Sequence, residues 1–396
     1  MSAGAALLHE PAVVSNKVTV PIEWHLLTGE YPPQEGGVSD YTRLVARALA
    51  EAGDRVVVWA PPSSSADAAD HPRIDVRRLP DRFGPGSWRV IGDALDRASE
   101  PYRVLVQYVP HAFGWKGANL PFCLWLRARR RDHLWIMFHE VAYPFERGAG
   151  LRRHALAAVN RAMASLMGAA VERSFVSIPA WQPGVKAVTR KGTPLTWLPV
   201  PNAIDVVDDR KKAAEIASRY GQGHPLIGHF GTYGPLIKPL LASAILSLID
   251  RSDCHVLLIG RGSKEACAEL SSVHPGLAGR LHATGSLAAA DVSHHIRACT
   301  LMMQPYPDGI SSRRTSVMAP LAHGVPVVTT EGPLSEPVWR DSGAVVLVPL
   351  RDAALLATAV ASLASDPARL RDLSSKGREL YDARFDIRHT IAALRA

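Results

Sequence analysis

The chain has 396 residues, with 45 lysines and arginines against 37 aspartates and glutamates, and 47% of its residues are hydrophobic. This length predicts two or three domains, and the apolar content excludes a largely disordered chain. The four cysteines are scattered and form no CxxC pair, which excludes a disulfide scaffold and suits a reducing compartment. No apolar run approaches the ~20 residues of a transmembrane helix, and residues 1–17 do not resemble a signal peptide. We therefore expect a cytoplasmic protein.

The formal net charge is +8, and basic residues cluster at 127–131 and 151–154. Such clusters have two interpretations: a helix face exposed to solvent, or a surface that contacts an anionic membrane. The net charge also permits a nucleotide diphosphate as a ligand. No basic stripe with interleaved aromatic residues occurs, so we expect no nucleic-acid partner.

Apolar strands alternate with amphipathic helices from one end of the chain to the other. In the first half, the pattern predicts one helix at 39–52 and strands at 18–27, 55–59, 104–109, 134–138, 171–178 and 194–200. In the second half, it predicts helices at 208–219 and 240–249, a helical tail at 355–396, and strands at 226–230, 255–259, 301–304, 325–329 and 344–348. The alternation predicts two α/β units with parallel sheets, divided near residue 203.

Ligands of such domains bind at the carboxyl ends of the strands, so the residues that follow each strand are the candidates for a site. After the first strand come Gly36 and Gly37, which let the backbone approach a phosphate or a sugar oxygen closely. Ser39 or Asp40 would cap the following helix. A tight turn without a ligand is the alternative interpretation. The motif GxGxxG is missing here, which argues against a dinucleotide dehydrogenase.

His139 and Glu140 end a later strand of the first half, where a histidine is either a structural residue or a ligand-binding one. In the second half, Gly231 and Lys238 follow a strand, and their amides and charge suit a diphosphate. The next strand is followed by Arg261.

A further loop of the second half holds a turn at Asp308-Gly309, then Ser311 and Ser312 as helix caps. An arginine pair, Arg313-Arg314, follows in the first turn of the helix. Cations are unfavourable at that end of a helix, so the pair indicates a bound anion. A pair of surface arginines is the alternative.

These pieces resemble, in order and over nearly the whole chain, the large retaining family of GT-B glycosyltransferases. The residues that carry the resemblance are Gly29-Glu-Tyr-Pro-Pro with Gly36-Gly37, Gly53-Asp-Arg-Val-Val-Val, Phe138-His-Glu, Leu198-Pro-Val-Pro-Asn202, Phe230-Gly with Lys238, and Ala322-His-Gly-Val-Pro-Val-Val-Thr-Thr330. The resemblance implies two Rossmann-like, doubly wound domains with a cleft between them. It assigns 1–203 to the acceptor domain, 204–378 to the donor domain and 379–396 to a helix that packs back on the first domain.

The resemblance also implies a retaining hexosyl transfer from a nucleotide-diphosphate sugar to a glycan, lipid or small molecule. We expect it to need no metal and no cofactor other than that co-substrate. The catalytic residues would be His139, Lys238, Arg313 and Asp308. The donor would contact Gly36, Gly37, Gly231, Thr232, Arg261, Gly309, Ser311, Ser312, Arg314 and Glu336. The acceptor would contact Glu140, Tyr143 and Tyr108, and a wall for stacking a sugar would comprise Tyr108, His111, Phe113 and Trp115.

The chain departs from the family pattern at three positions: Thr232 replaces an arginine, and Ser311 and Ala319 replace two glutamates. We expect the arginine pair to replace the missing arginine, and Asp308 or Glu336 to contact the sugar or the ribose. Two alternatives to a transferase follow: an epimerase or hydrolase of nucleotide sugars on the same architecture, and a non-catalytic partner that binds a nucleotide sugar.

Overall fold

The computed structural model of the protein describes residues 20–64, 71–145, 148 and 150–396. Residues 1–17, on which the expectation about a signal peptide rests, lie outside this part. None of the helices in these ranges combines the length and the apolar character that a membrane span requires.

The first half of the chain forms a seven-stranded sheet with helices on both sides. Its strands are β1 (Glu23–Thr28), β2 (Arg55–Ala60), β3 (Ile74–Arg78), β4 (Tyr102–Tyr108), β5 (Leu134–Phe138), β6 (Arg173–Val176) and β7 (Leu195–Trp197). Its helices are α1 (Gly37–Glu51), α2 (Pro85–Leu95), α3 (Leu120–Ala128), α4 (Leu151–Gly168) and α5 (Gln182–Val188). The strand order is β3-β2-β1-β4-β5-β6-β7, and the pairings are parallel.

The second half forms a six-stranded parallel sheet in the order β10-β9-β8-β11-β12-β13. Its strands are β8 (Leu226–Phe230), β9 (His255–Ile259), β10 (Leu281–Ala283), β11 (Leu301–Gln304), β12 (Val327–Glu331) and β13 (Val346–Pro349). Its helices are α6 (Arg210–Gly221), α7 (Lys238–Ile249), α8 (Ser263–Val273), α9 (Ala289–Ala298), α10 (Thr315–Ala322), α11 (Pro337–Asp341), α12 (Ala353–Ala364) and α13 (Pro367–Leu380). The strand order reverses between β1 and β4 and between β8 and β11, which places a crevice at the carboxyl ends of both sheets.

Each sheet is buried on both faces. Successive side chains of a strand point to opposite faces, so one strand contributes to the core on both sides. Leu26 and Leu27 of β1 are both fully buried, yet they belong to separate core clusters on the two sides of the sheet. The second sheet is enclosed in the same way by two further clusters. Each half is therefore a layered α/β unit, and the carboxyl ends of its strands lead into loops.

A last helix, α14 (Ile387–Arg395), returns to the first half and packs against α1. Leu394 is buried in the same core cluster as residues of α1. Arg395 donates to the carbonyl of Ala52 at 3.1 Å and lies 3.4 Å from the carboxylate of Asp54. The end of the chain therefore ties the second half to the first.

The strands at 134–138, 226–230, 255–259 and 301–304 have the predicted bounds. The first strand begins at Glu23 rather than at residue 18, and residues 18 and 19 lie outside the described ranges. Strand β3 escapes the prediction because it is a half-exposed edge strand whose sequence, IDVRR, carries charge.

Candidate active site

A cavity of about 610 Å³ lies between the two halves, at the carboxyl ends of the strands. The first half contributes the loops after β1 and after β3 to β7, and the second half contributes Arg313 and the start of α10. The residues of the predicted site that line it are Gly37, His139, Glu140 and Arg313. The structure therefore brings predicted residues of both halves together in one cavity, as expected for a cleft between two domains.

The Gly36-Gly37 loop opens α1, but the protein's own carboxylate already occupies the helix end. One oxygen of Glu30 accepts from the amides of Val38 at 2.9 Å and Ser39 at 3.0 Å. A Cβ atom on Gly36 would lie 2.5 Å from that carboxylate, so a side chain there would displace Glu30. The predicted caps were wrong, since Ser39 donates instead to the carbonyl of Gln34. The expected anion site at these two amides is filled by Glu30.

His139 is held at the end of β5 as a neutral ring. Its Nε2 lies 2.8 Å from Oε1 of Gln107, and its ring meets Tyr41 edge-on at 4.9 Å. Burial lowers the pKa of His139 to about 3. An imidazole that donates from Nε2 keeps Nδ1 as an acceptor, which suits a ligand hydroxyl better than an anion.

The arginine pair is organised by Asp308. Arg313 and Arg314 each donate to one oxygen of its carboxylate. Arg313 also lies 5.2 Å above the ring of Trp181, which belongs to the first half. Burial and the charge of Arg314 lower the pKa of Arg313, while Asp308 and Glu140 act in the opposite direction. The guanidinium remains a cation, because arginine does not lose its proton in proteins.

The Nε atoms of Arg313 and Arg314 are buried without a hydrogen-bond partner among the described residues. Arg314 packs over the ring of Tyr306 at 4.9 Å. The turn before the pair needs glycine, because Gly309 has φ of +86° and a Cβ there would meet the amide of Gly332 at 2.3 Å. The pair thus carries donors that no acceptor of the described residues uses, and Arg313 of the pair lines the cavity.

Ser312 and Glu336 were predicted to bind the donor, and the structure gives both a structural role instead. Glu336 is 6% exposed and accepts from the amide of Ser312 at 3.0 Å, from its hydroxyl at 2.5 Å and from Trp339 Nε1 at 2.6 Å. The Ser312 hydroxyl also lies 2.8 Å from the carbonyl of Ser177 in the first half. Ser311 is fully buried. The prediction that the two serines cap the helix was wrong, since the N-cap residue of α10 is Arg314. Ser312 instead joins the two halves through Ser177, and Glu336 holds Ser312 in place.

Lys238 lies apart from Arg313. Its ammonium binds the carboxylate of Glu269 at 2.7 Å, at the mouth of a separate apolar cavity of about 310 Å³ between α7 and α8. Arg261 reaches across the gap and pairs with Glu35. Gly231 and the exposed Thr232 follow β8 but do not line the 610 Å³ cavity. The predicted grouping of Lys238 with Arg313 is therefore not observed.

Tyr108 was predicted to bind the acceptor, but it is fully buried and its hydroxyl donates to the carbonyl of Asn160 at 3.4 Å. Phe113 is also part of this core. His111 and Trp115 do line the cavity, and Tyr143 stacks on His111 with ring centroids 6.3 Å apart. Half of the predicted wall is thus core and half faces the site.

The residues of the cavity region that the sequence did not indicate include Arg82, Lys116, Trp181 and Thr315. Arg82 follows β3, a strand that the sequence pattern did not predict. Lys116 lies in a loop with an irregular backbone. Thr315 begins α10, and the first amides of a helix have no partner within it. The arginine pair just before it was the signal that could have indicated this. Among the described residues, no group of three His, Cys, Asp or Glu side chains is placed to hold a metal ion.

Residues 225–366 match the family model described as Glycosyl transferases group 1. This stretch begins one residue before β8 and includes the arginine pair and α10. The match therefore lies within the second half of the chain. No curated protein sequence matches the chain.

Solved structures match almost the entire chain. A glycosyltransferase from Rickettsia africae has a TM-score of 0.72 at 12% identity, and the match covers 95% of this chain and 98% of that one. Sucrose-phosphate synthase from Thermosynechococcus elongatus gives 0.66 at 16% identity, with 95% and 97% covered. HepE from Anabaena, in complex with UDP and glucose, gives 0.66 at 16% identity, with 94% and 98% covered. The predicted GT-B fold and the predicted enzyme class, a glycosyltransferase, are confirmed.

His139 provides a test of pH dependence. A histidine in the unfolded chain titrates near 6.5, whereas the pKa of His139 is lowered to about 3 by burial. The ring is therefore neutral over the range in which turnover can be measured, from about pH 5 to pH 9. We expect His139→Ala to lower transfer by about 10-fold, the scale of one lost hydrogen bond, by the same factor at each pH.

The measurement is a pH profile of kcat/KM for both proteins, with UDP affinity as the control. A profile whose acidic limb disappears in the variant would instead identify His139 as a titrating group. The same lowered pKa determines how the stability of the fold depends on pH. The unfolded state takes up a proton below about pH 6.5 and the folded state does not, so acid reduces stability between those two pKa values.

Proposed function

We propose that the protein transfers a hexose-type sugar from a nucleotide-diphosphate sugar to an acceptor, with retention and without a metal ion. The observation that carries the proposal is the 610 Å³ cavity, in which Arg313 and the start of α10 face His139 and Glu140. A cation and helix amides on one side, opposite a neutral hydrogen-bonding ring, suit a diphosphate attached to a sugar.

The diphosphate would bind beside Arg313 and the first amides of α10. During transfer, the bond between the anomeric carbon and the diphosphate oxygen breaks, and negative charge grows on the leaving group. Charges and dipoles already in place stabilise that charge without reorganisation, which is the largest contribution available to such a site. Lys238 is not part of this proposal, because Glu269 binds its ammonium outside the cavity.

The sugar would lie against His139, whose neutral ring can accept from a hydroxyl. Retention means that the acceptor approaches the face that the diphosphate leaves. On that face, the released diphosphate oxygen would serve as the base for the acceptor proton. A bond between the anomeric carbon and the acceptor oxygen replaces the broken one, so the reaction needs no further reactant.

The proposal is tested with labelled UDP- and GDP-sugars and a panel of sugar and lipid acceptors. We choose UDP first because HepE was solved in complex with UDP and glucose. We expect UDP to raise the melting temperature and at least one labelled sugar to appear on an acceptor with its anomeric configuration kept. Chelator should not change the rate.

The other outcomes separate the alternatives. Free altered sugar without acceptor labelling would indicate an epimerase or hydrolase. Binding without turnover would indicate a non-catalytic partner. Failure of every nucleotide sugar to bind would contradict the proposal.

Peripheral contact with an anionic membrane remains part of this proposal. Leu124 of α3 is 53% exposed and Leu151 of α4 is 88% exposed, and the two helices pack together. Arginines of the two basic clusters flank them, at 127, 130, 131, 152 and 153. Exposed apolar side chains beside a cluster of cations suit a surface of anionic lipid.

A further inference from the structure

The first half presents two cations to the cavity that the donor does not require. Arg82, after β3, and Lys116, after β4, both line it. Neither forms an ion pair with a carboxylate of the described residues. They belong to the acceptor half, whereas Arg313 and Thr315 enter from the second half.

The loop that carries Lys116 has an unusual backbone. Gly114, Trp115, Lys116 and Gly117 have φ values of +75°, +49°, +53° and +80°. Residues with a Cβ avoid this region, and two in succession occur only where the surroundings impose it. Such strain concentrates at binding sites. The conformation leaves Trp115 51% exposed at the cavity.

The loop that carries Arg82 also has a strained backbone, and buried hydrogen bonds attach it to the loop that carries Lys116. Phe83 has φ of +58° and is buried against Phe113, with ring centroids 5.0 Å apart. The buried amide of Asn119 donates to the carbonyls of both, at 3.0 Å and 2.7 Å. Asn160 donates to the carbonyl of Gly117 at 2.7 Å. Buried hydrogen bonds thus hold the two cations on one rigid platform.

Two carboxylates also line the cavity, those of Glu30 and Glu140. Glu30 accepts from the first amides of α1. The charge of Glu140 acts to raise the pKa of Arg313, the cation that enters from the second half. Arg82 and Lys116 are the cations that the first half adds to the lining.

We infer that the acceptor carries a phosphate group, which Arg82 and Lys116 bind, while Trp115 packs against the adjoining ring or chain. A guanidinium and an ammonium together suit a phosphate, the first through paired hydrogen bonds and the second as a point charge. The inference rests on the proposed function, because it names the class of acceptor for that transfer. The phosphate belongs either to a soluble sugar phosphate or to a lipid headgroup.

The test measures binding by calorimetry to the full chain. The probes are glucose, glucose 6-phosphate, water-soluble dihexanoyl phosphatidic acid, and UDP. The variant is Arg82→Gln with Lys116→Gln. The matched control is Arg89→Gln with Lys191→Gln, which removes the same charge from exposed positions outside the cavity.

We expect at least one phosphorylated probe to bind the wild type and the control, and to bind the variant at least ~10-fold more weakly. UDP affinity should be equal in all three. The probe that binds identifies the source, sugar phosphate or lipid. The inference is overturned if neither phosphorylated probe binds the wild type, if glucose binds as well, or if the variant binds them equally.

A loss of UDP affinity in the double variant would also overturn it, because the cations would then serve the donor. Failure of the proposed function has a different signature: UDP and UDP-sugars would not bind the wild type, whatever the phosphorylated probes do.

Discussion

Replacing Arg313 with alanine should lower the rate of sugar transfer by about 10²-fold, the scale of losing one preorganised donor to a developing anion. Arg313 lines the cavity, is largely buried between Asp308 and Trp181, and has an Nε without a partner in the described chain. Its removal would also leave Asp308 paired with Arg314 alone, which places a partly uncompensated carboxylate near the diphosphate. Both effects act in the same direction.

The measurement is the initial rate of UDP release from a UDP-sugar in the presence of acceptor, together with the Kd for UDP. Arg340→Ala is the matched control, since Arg340 pairs with Glu331 at the surface of the same domain. Its rate should stay close to that of the wild type. A rate for Arg313→Ala within about 3-fold of the wild type would exclude the arginine from the leaving-group site.

Replacing Glu336 with alanine should destabilise the protein by about 3 kcal/mol or more, because it removes the acceptor from buried donors at Ser312 and Trp339. Burial raises the pKa of this carboxyl, and the hydrogen bonds it accepts oppose the shift. For domains of this size, the loss corresponds to a decrease of roughly 6 °C or more in Tm. The contact of Ser312 with Ser177 should loosen as well.

Thermal melting of the variant and of Glu331→Ala checks this expectation. Glu331 belongs to an exposed ion pair, which contributes about 0–1 kcal/mol, so its Tm should change little. If Glu336→Ala melts within one degree of the wild type while UDP affinity falls sharply, the carboxylate is a ligand-binding group after all.

The architecture could be predicted from the amino-acid pattern alone. Buried strands of a parallel sheet are short apolar runs, and such runs are visible without neighbours, so the strands at 134–138, 226–230, 255–259 and 301–304 had the predicted bounds. His139 lies at a strand end, as predicted, and lines the cavity. Arg313 was predicted in the first turn of a helix but lies just before Arg314, the N-cap residue of α10, and it also lines the cavity. The arginine pair indicated a bound anion because cations are unfavourable at the start of a helix.

Which polar residues already have partners is visible only in the folded chain. Glu30 fills the helix end at Gly36, Glu269 binds Lys238, and Glu336 holds Ser312. Each of these partners lies between 6 and 31 residues away in sequence, and no local pattern relates the two. The burial of Tyr108 was missed for a similar reason, since a strand end shows which residues lie near the edge of the sheet but not which side chains join the core. The loops that carry Arg82 and Lys116 are joined through the buried amide of Asn119, which no local pattern shows, because hydrogen bonds between loops depend on how the chain packs.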